Sequence, residues 1–324
     1  MNAKMKAVQS PVRIVFGSPG TDRPNYYERY GSLTLGAAID RYVRAAIQDT
    51  PGLPVEISPM SGQSGELVSV YGELAHLVLR CSDVTEGVRL LLGSDVPPGY
   101  GLGVSRALMA ALIGALAVWR GQPFDPRLIA VEAAALHRLM RPDFSGEAAI
   151  YLSAMGGLNI LILEADEVNI EPIRLTPEQR AWLQLNLQLF IHPDARLTDE
   201  NRRAFDAHTF STDTLHTNKA CNVELIDALS TGNVLRLGRL LDNDWLRRRQ
   251  LVYPARMRLF EEWYGIARQA GMIGGQFVCG TQGGAFLVCV PPEQSEALKE
   301  KLTAGGWRHL PFAFALQGLT LVEG

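Results

Sequence analysis

The stretch Val96-Pro-Pro-Gly-Tyr-Gly-Leu-Gly-Val-Ser-Arg106 decides how the rest of the chain is interpreted. It follows the apolar run Gly87 to Leu92 and opens directly into a longer one, Ala107 to Trp119. Glycines at 99, 101 and 103 before a helix bring backbone N–H groups and the positive end of a helix dipole to one point, which is typical of an anion site. The stretch matches neither the Walker pattern nor the dinucleotide fingerprint. Its residues alone therefore leave a phosphate loop and a structural turn equally open.

The composition is that of a globular protein. The chain has 324 residues, of which 47% are hydrophobic and 20% charged, enough for two domains or one large one with substantial cores. A net charge of −3 gives no electrostatic reason to expect nucleic acid or a membrane as a partner. The N-terminus, Met1 to Pro11, lacks the apolar segment of a signal peptide, and the apolar run 107–119 is too short to span a bilayer. We therefore expect a cytoplasmic protein.

Hydrophobic patterns predict an α+β chain of two domains, 1–175 and 176–324. Strands are expected at 12–16, 33–39, 42–47, 55–58, 65–70 and 158–163, in the hairpin 277–290, and at 312–314 and 319–322. Asp125 and Pro126 predict the start of a helix that runs to Met140. Its buried stripe is expected to contain Leu128, Val131, Ala135 and Leu139. The cysteines, expected to be buried free thiols, are Cys81, Cys221, Cys279 and Cys289.

Three motifs carry a resemblance to a known family. They are Arg13-Ile-Val-Phe-Gly-Ser-Pro-Gly-Thr-Asp-Arg-Pro24, Pro97-Pro-Gly-Tyr-Gly-Leu-Gly-Val-Ser-Arg-Ala-Leu108 and Cys279-Gly-Thr-Gln-Gly-Gly-Ala-Phe286. In this order they resemble the GHMP kinase superfamily of small-molecule kinases, and in particular its D-glycero-D-manno-heptose 7-phosphate kinase branch. The resemblance implies a two-domain GHMP kinase fold, with an active-site cleft between an N-terminal and a C-terminal α/β sandwich domain.

The same resemblance implies roles for individual residues. ATP phosphates would be bound by Pro98, Gly99, Gly101, Leu102, Gly103, Ser105 and Arg106. Ser105 stands at a position resembling the hydroxyl that helps to hold Mg²⁺. The catalytic candidates are Arg13, Asp22 and Glu147. Substrate contacts are expected from Thr21, Asp22, Gly283 and Gly284, and the loop Gly280 to Gly284 is expected to pack beside the glycine loop.

Several positions depart from the family pattern. His137 stands at the position of the family's magnesium-binding Glu. Glu147 stands at the position of its Lys, and Ala149 at the position of its catalytic Asp. Magnesium prefers oxygen ligands, and alanine cannot accept a proton.

Other residues offer substitutes for the missing groups. In the glycine loop, Val104 and Arg106 replace hydroxyls, so Arg106 is expected to supply charge in place of a metal. Asp143 and Glu147 are the carboxylates near the vacated position. His137 lies off the predicted stripe, so it is expected to face the cleft or solvent. Gln282 and Ala285 replace family glycines in the third motif, which narrows the space there.

Three functions follow from this pattern. The first is ATP-dependent phosphoryl transfer to a hydroxyl of a sugar or sugar phosphate. The second is a pseudokinase that binds nucleotide or sugar phosphate without turnover. The third is other chemistry on a phosphosugar, as in the β-ribofuranosylaminobenzene phosphate synthases of the superfamily. The expected partners are a nucleotide and a sugar or sugar phosphate, with allowance for a homodimer. Arg247-Arg-Arg249 is interpreted either as a solvated face or as a phosphate clamp.

Overall fold

The computed structural model describes residues 6–17, 19–140, 146–196, 211–252 and 257–323. Its first half contains the elements β1 (Lys6–Phe16), α1 (Pro24–Tyr30), β2 (Thr34–Pro54), β3 (Glu56–Pro59), α2 (Glu66–Cys81), β4 (Glu86–Ser94), α3 (Val104–Trp119), α4 (Pro126–Met140), α5 (Ala148–Met155), β5 (Leu158–Leu163) and β6 (Val168–Pro172). Its second half contains α6 (Pro177–Asn186), β7 (Leu187–His192), α7 (Thr212–Ser230), α8 (Val234–Val252), α9 (Met257–Gln269), β8 (Gly274–Cys279), β9 (Gly284–Cys289), α10 (Ser295–Ala304), β10 (Arg308–His309) and β11 (Thr320–Glu323).

Two sheets organise the described residues. The first has seven strands, in the order β11-β1-β2-β4-β3, with β5 also pairing with β2 and β6 with β5. Its pairs are antiparallel except β3 with β4. The second has the order β10-β7-β9-β8 and is antiparallel throughout. The predicted α+β fold with two domains is therefore confirmed. The boundary between 175 and 176 stays a prediction, and β11, at the end of the chain, pairs with β1 in the first sheet.

The apolar run after the glycine loop forms α3, the central helix of the first domain. Its residues from Ala107 to Ala117 are all buried, because β1 and β2 lie along one side and α2, α4 and α5 along others. A helix that is apolar all round is what such a fully enclosed position requires. Among the described helices, none combines the length and the apolar character needed to cross a bilayer.

Two sequence predictions in this domain are wrong. Residues 65–70 do not form a strand but enter α2, whose buried residues Leu67, Ala75, Val78 and Leu79 follow a helical period. The predicted stripe of α4 is also wrong, since Leu128, Val131, Ala135 and Leu139 are exposed. The buried face is made instead of Ile129, Ala130, Ala133, Ala134 and His137. Small alanine side chains let α4 approach α3 and α5 closely, so the larger leucines remain outside.

The remaining predictions of elements are mostly confirmed. Asp125 caps α4 through bonds from the backbone N–H groups of Arg127 and Leu128 to its Oδ1, at 2.8 and 3.3 Å. Residues 312–314 form only an isolated bridge, between Phe314 and Ile39, rather than a strand. The four cysteines are free, but only Cys289 is buried, and Cys81 is exposed because it ends α2 on its outer side.

Candidate functional site

The glycine loop has a backbone that demands glycine at three positions. Gly99, Gly101 and Gly103 have φ angles of 79, 82 and 80°, in the left-handed region that other residues avoid. Gly103 is the residue before α3, and its carbonyl accepts the N–H groups of Arg106 and Ala107. The loop therefore delivers the chain into the first turn of α3, whose leading N–H groups have no partner within the helix.

The β8–β9 loop packs directly on the glycine loop, as the sequence predicted. The N–H groups of Gln282 and Gly283 donate to the carbonyl oxygen of Gly99 at 3.0 and 3.3 Å. A Cβ atom at Gly280 would lie only 2.0 Å from that same oxygen, so no larger residue fits there. The two glycine-rich segments form one unit, although they are far apart in the sequence.

Gly283 and Gly284 are needed for packing against the protein itself. A Cβ atom at Gly283 would lie 2.4 Å from the Tyr100 ring, and one at Gly284 would lie 2.2 Å from the carbonyl oxygen of Ala195. Both glycines are buried. These contacts account for both glycines without a ligand, and the predicted substrate contacts remain a prediction.

Gln282 lies over the glycine loop. A Cβ atom built at Gly99 would come within 2.7 Å of the Gln282 Cγ atom and 3.0 Å of the Thr281 hydroxyl. Both side chains are exposed, so they stand at the outer mouth of the loop. The space above Gly99 is therefore narrower than a glycine at position 282 would leave it, as the sequence predicted.

Arg13 brings a cation to the inner side of the glycine loop. Its backbone N–H donates to the carbonyl of Leu102 at 3.1 Å, and its Nη1 donates to the carbonyl of Gly101 at 2.8 Å. A Cβ atom at Gly103 would lie 3.1 Å from the guanidinium carbon. Its Nε is buried and has no hydrogen-bond partner among the described residues. Strand β1 thus holds this side chain against the loop.

The electrostatics around Arg13 show which charges lie near it. Burial and, to a lesser extent, the positive charge of Arg106 lower the pKa of Arg13 to about 10, while the carboxylate of Asp22 opposes the shift. A pKa of about 10 still leaves Arg13 charged at neutral pH. Arg106 lies in the first turn of α3 and donates from Nη1 to the Ser105 hydroxyl at 2.9 Å. Two guanidinium groups therefore share the region of the glycine loop.

Asp22 links this region to the start of α5. Its Oδ2 accepts the N–H of Ala148 at 3.1 Å, and its carbonyl accepts the N–H of Glu147 at 3.3 Å. A Cβ atom at Gly146 would lie 2.5 Å from Oδ2, so the carboxylate rests on that glycine. Oδ1 makes no hydrogen bond with a described residue, and the side chain is partly exposed. The carboxylate of Asp22 is therefore bound to the residue that precedes Ala149 in the sequence.

Glu147 lies beside Asp22, but its carboxylate is buried and paired with Arg138. It is 1% exposed, and its two oxygens accept from Arg138 Nε and Nη2 at 2.8 and 3.0 Å. The Tyr27 hydroxyl donates to the same carboxylate at 3.4 Å. Burial raises the pKa of Glu147, while the hydrogen bonds and charge of Arg138 oppose the rise. Burial and the Glu147 charge also raise the pKa of Tyr151 to about 12. The geometry is that of an ion pair between Arg138 of α4 and the residue before α5, and the catalytic role of Glu147 stays a prediction.

The residues at the family's metal positions do not fit Mg²⁺. His137 is 4% exposed, so the expectation that it faces the cleft or solvent is wrong, and Ala149 is 7% exposed. Ser105 already accepts a hydrogen bond from Arg106. No group of three His, Cys, Asp or Glu side chains within the described ranges is arranged to hold a metal ion. Magnesium is usually bound by one or two carboxylates together with substrate phosphates, and neither His137 nor Ala149 supplies a carboxylate. Asp143 lies outside the described residues.

Thr21 makes its hydrogen bonds inside the protein. It is 0% exposed, and its hydroxyl donates to the carbonyl of Leu33 at 3.1 Å while accepting the N–H of Leu33 at 3.3 Å. Thr21 therefore supports the loop that carries Asp22.

The arginines of α8 contact other protein side chains. Arg247 Nη2 donates to Asp244 Oδ1 and Asn218 Oδ1, both at 2.8 Å. Arg249 lies 3.6 Å from Glu261. The Arg248 side chain lies outside the described part of the structure, and the phosphate clamp stays a prediction.

The sequence analysis missed the polar face of α7 that fastens this loop. Asn218 Nδ2 donates to the carbonyl of Pro19 at 3.0 Å, and Asn222 Nδ2 donates to that of Leu33 at 2.9 Å. Both side chains are buried. The sequence contained one signal for these contacts: two asparagines four residues apart share a helix face with the apolar Leu225. Amides on such a buried face need hydrogen-bond partners from another part of the chain.

Known proteins share this architecture. Residues 69–157 match the family model "GHMP kinases N terminal domain". The D-glycero-alpha-D-manno-heptose 7-phosphate kinase of Campylobacter jejuni is 23% identical over 96% of this chain and 97% of its own. A putative sugar kinase from Campylobacter jejuni has a TM-score of 0.76 at 20% identity, with all of both chains covered.

A second solved structure agrees with the first. The D-glycero-D-manno-heptose 1-phosphate kinase of Bacteroides thetaiotaomicron has a TM-score of 0.73 at 20% identity, over 98% of this chain and 99% of its own. At such identities the likeness concerns the fold, whereas the family model concerns the sequence around the glycine loop and α3. The chain thus carries a match to the GHMP kinase N-terminal domain over residues 69–157, and its fold is similar to that of these solved kinases.

Proposed function

We propose that this protein transfers a phosphoryl group from ATP to a hydroxyl of a sugar or sugar phosphate. The observation that carries the proposal is the position of Arg13. It contacts the glycine loop by two hydrogen bonds, and its pKa responds to both Arg106 and Asp22. A loop suited to phosphate and a carboxylate suited to a hydroxyl therefore meet at one cation.

The donor side of the proposal rests on backbone and guanidinium groups. Phosphoryl transfer places negative charge on the phosphate oxygens, and catalysis consists mostly of positioning and neutralising that charge. The first turn of α3 offers N–H groups at the positive end of a helix. Arg13 and Arg106 add two cations whose planar groups suit phosphate oxygens. These groups act in place of a metal in this proposal, because His137 and Ala149 supply no carboxylate for one.

The acceptor side of the proposal rests on Asp22. The Ala148 N–H fixes one carboxylate oxygen at 3.1 Å, which leaves Oδ1 to accept the hydroxyl proton of the substrate. The substrate oxygen then forms the new bond to phosphorus, the bond to the ADP oxygen breaks, and the proton remains on Asp22. A positioned base of this kind contributes roughly 10²–10⁴-fold in rate. Asp22 would thus supply the base that Ala149 cannot.

A second function is favoured by one observation. Ala149 and His137 stand where the resemblance places two carboxylates, and both are buried, so neither position retains a carboxylate for the usual metal or base role. A protein that binds ATP and a sugar phosphate without transfer would show the same residues. The glycine loop and its cations would serve binding in either case.

The test is a transfer assay with ATP and a panel of sugars and sugar phosphates, with detection of both ADP and the phosphorylated product. We expect turnover that falls by about 10²-fold or more in Asp22→Asn, with ADP affinity unchanged by calorimetry. Asp166→Asn, an exposed carboxylate far along the chain, is the matched control and should retain full activity. Equal turnover of Asp22→Asn and the wild type would refute the role of Asp22. ATP binding without turnover on any acceptor would favour the second function.

A further inference from the structure

The second domain contains a groove that is separate from the glycine loop. It has a volume of about 480 Å³ and lies between α6, the edge of β7 and β10, and α10. Arg180, Gln184, Lys299, His309 and Phe312 are among its lining residues, and none of the lining residues is acidic. The volume falls in the range typical of small-molecule sites. None of these residues belongs to the glycine loop or to the region of Asp22.

We propose that this groove, here called the α6 groove, binds a small organic phosphate ester. Two cationic side chains, Arg180 and Lys299, border one volume, and His309 lines it beside them. Such groups together recognise a phosphate by charge and by directed hydrogen bonds. The proposal is independent of phosphoryl transfer at the glycine loop.

Arg180 provides the main argument. Its side chain is half-buried on α6, yet its guanidinium makes no hydrogen bond or ion pair with any residue that the structure describes. Its nitrogens are not among the buried polar atoms that lack a partner, so they face solvent. The guanidinium is therefore available to pair with an anion in the groove.

Lys299 and His309 approach the same space from the opposite side. Lys299 contacts Glu296 at 2.7 Å, but that carboxylate is 81% exposed, so the pair is a weak surface contact that leaves the ammonium available. His309 Nε2 lies 2.7 Å from Gln188 Oε1, and its ring packs on Phe190 with centroids 5.2 Å apart. The histidine is therefore held in one orientation. Burial and the nearby charge of Lys299 lower its pKa, which shows that the two side chains are neighbours.

The other lining residues favour an organic ligand over a bare ion. Phe312 contributes apolar surface, and Leu185, which also lines the groove, is 52% exposed. A sugar or another carbon skeleton would cover this surface while its phosphate faced the cations. Free phosphate would leave it in water, so the ester is expected to bind more tightly.

The position of the groove links the two sheets. Gln184 Oε1 accepts the N–H of Phe314 at 3.4 Å, and Phe314 forms a bridge with Ile39 of the first sheet. Arg41 of the first domain donates to the carbonyl of Pro311, which lines the groove. A ligand that contacts both α6 and Phe312 would therefore hold the segment that returns to the first domain.

The probes are glucose 6-phosphate, inorganic phosphate and glucose, tested by calorimetry in the absence of nucleotide. In a background of Arg106→Ala, which weakens the glycine loop, glucose 6-phosphate should still bind, and more tightly than inorganic phosphate. Arg180→Ala with Lys299→Ala in that background should weaken binding by about tenfold or more. Lys301→Ala, which removes a charge from the same helix outside the groove, is the matched control and should bind as its parent does.

A crystal soaked with glucose 6-phosphate should show the phosphate between Arg180 and Lys299. The proposal is overturned if glucose 6-phosphate fails to bind the Arg106→Ala protein at about 1 mM. It is also overturned if Lys301→Ala weakens binding as much as the double variant does, because the effect would then be general charge. Equal affinity for inorganic phosphate and the ester would contradict the organic class of ligand. Melting temperatures of all variants establish that they are folded.

Discussion

The guanidinium of Arg13 donates a hydrogen bond to the carbonyl oxygen of Gly101 at 2.8 Å, so a buried strand fixes the cation that faces the glycine loop. Lysine would keep the charge but lose the planar fork that serves the carbonyl and an anion at once. We predict that Arg13→Lys weakens ADP binding by about tenfold, as measured by calorimetry. Arg174→Lys, on an exposed residue, should bind ADP as the wild type does. Unchanged affinity in Arg13→Lys would contradict the assignment of Arg13 to the phosphates.

Charge neutralisation by Arg106 has its own test. Because His137 and Ala149 supply no carboxylate at the metal positions that the resemblance implies, ADP affinity should be the same in EDTA as with added Mg²⁺. In the absence of metal, Arg106→Ala should reduce ADP affinity by about tenfold, whereas Ser105→Ala, which removes only the hydroxyl, should have a small effect. A strong requirement for Mg²⁺, together with normal binding by Arg106→Ala, would show that a metal does the work assigned to the arginine.

The contact between the two glycine-rich loops can be separated from backbone strain. A Cβ atom at Gly101 would lie 2.5 Å from the carbonyl oxygen of Val278, whereas one at Gly62 would meet nothing within 4 Å. Their φ angles, 82 and 75°, are nearly equal. Gly62→Ala should therefore cost only the conformational strain, about 1 kcal/mol in the free energy of unfolding. Gly101→Ala should cost at least about 2 kcal/mol more, because the two loops must separate.

Chemical denaturation of the two variants measures this difference. Gly101→Ala should also lose ADP binding, because the glycine loop is displaced, while Gly62→Ala should keep it. Equal destabilisation by the two substitutions would mean that the loops are not in tight contact.

The sequence predicted those parts of the fold that depend on local signals. Glycines at 99, 101 and 103 require an unusual backbone, and Asp125 with Pro126 marks a helix start, so both features were found correctly. The buried face of α4 was missed because it depends on what the helix contacts. Ala130, Ala133 and Ala134 face the core because α3 and α5 pack too close for larger side chains. A prediction from hydrophobicity alone puts the leucines of α4 in the core instead.

The candidate site shows the same division. Arg13 lies against the glycine loop, and Asp22 lies near Arg13. Both residues could be selected from the sequence because they belong to one continuous motif. The ion pair between Arg138 and Glu147, and the contact of Asn218 with Pro19, join segments that only the folded chain brings together. No local pattern reports such pairs, so the sequence alone does not show that Arg138 is the partner of Glu147.

The ion pair of Arg138 and Glu147 predicts an asymmetric effect on stability. Removing Arg138 leaves a carboxylate that is 1% exposed without its cation, whereas Glu147→Gln leaves an arginine that is 44% exposed and can be hydrated. We expect Arg138→Ala to cost about 2 kcal/mol at neutral pH, a value reduced for the exposure of the arginine. Glu147→Gln should cost less, and the double variant should be more stable than Arg138→Ala alone.

The dependence on pH follows from the direction of the shift. Burial raises the pKa of Glu147, so the folded protein holds this proton more tightly than the unfolded chain. The free energy of unfolding therefore falls as the pH rises through the titration of Glu147. Without Arg138 that fall should be larger, so Arg138→Ala should lose more stability at about pH 8 than at about pH 5. Melting temperatures across this range test the prediction, and a deficit independent of pH would contradict it.

Replacing Gln282 is expected to increase the affinity for ADP rather than to reduce it. Its side chain lies over Gly99 at the mouth of the glycine loop, where a nucleotide would enter, and it replaces a glycine of the family motif. Gln282→Gly should remove this cover and tighten ADP binding by about threefold or more, because the ligand no longer has to displace an ordered side chain. Gln122→Gly, on an exposed residue away from the loop, is the matched control for loss of a glutamine. If Gln282→Gly instead binds ADP more weakly, the side chain contacts the nucleotide, and the narrowed mouth is a binding feature of this protein.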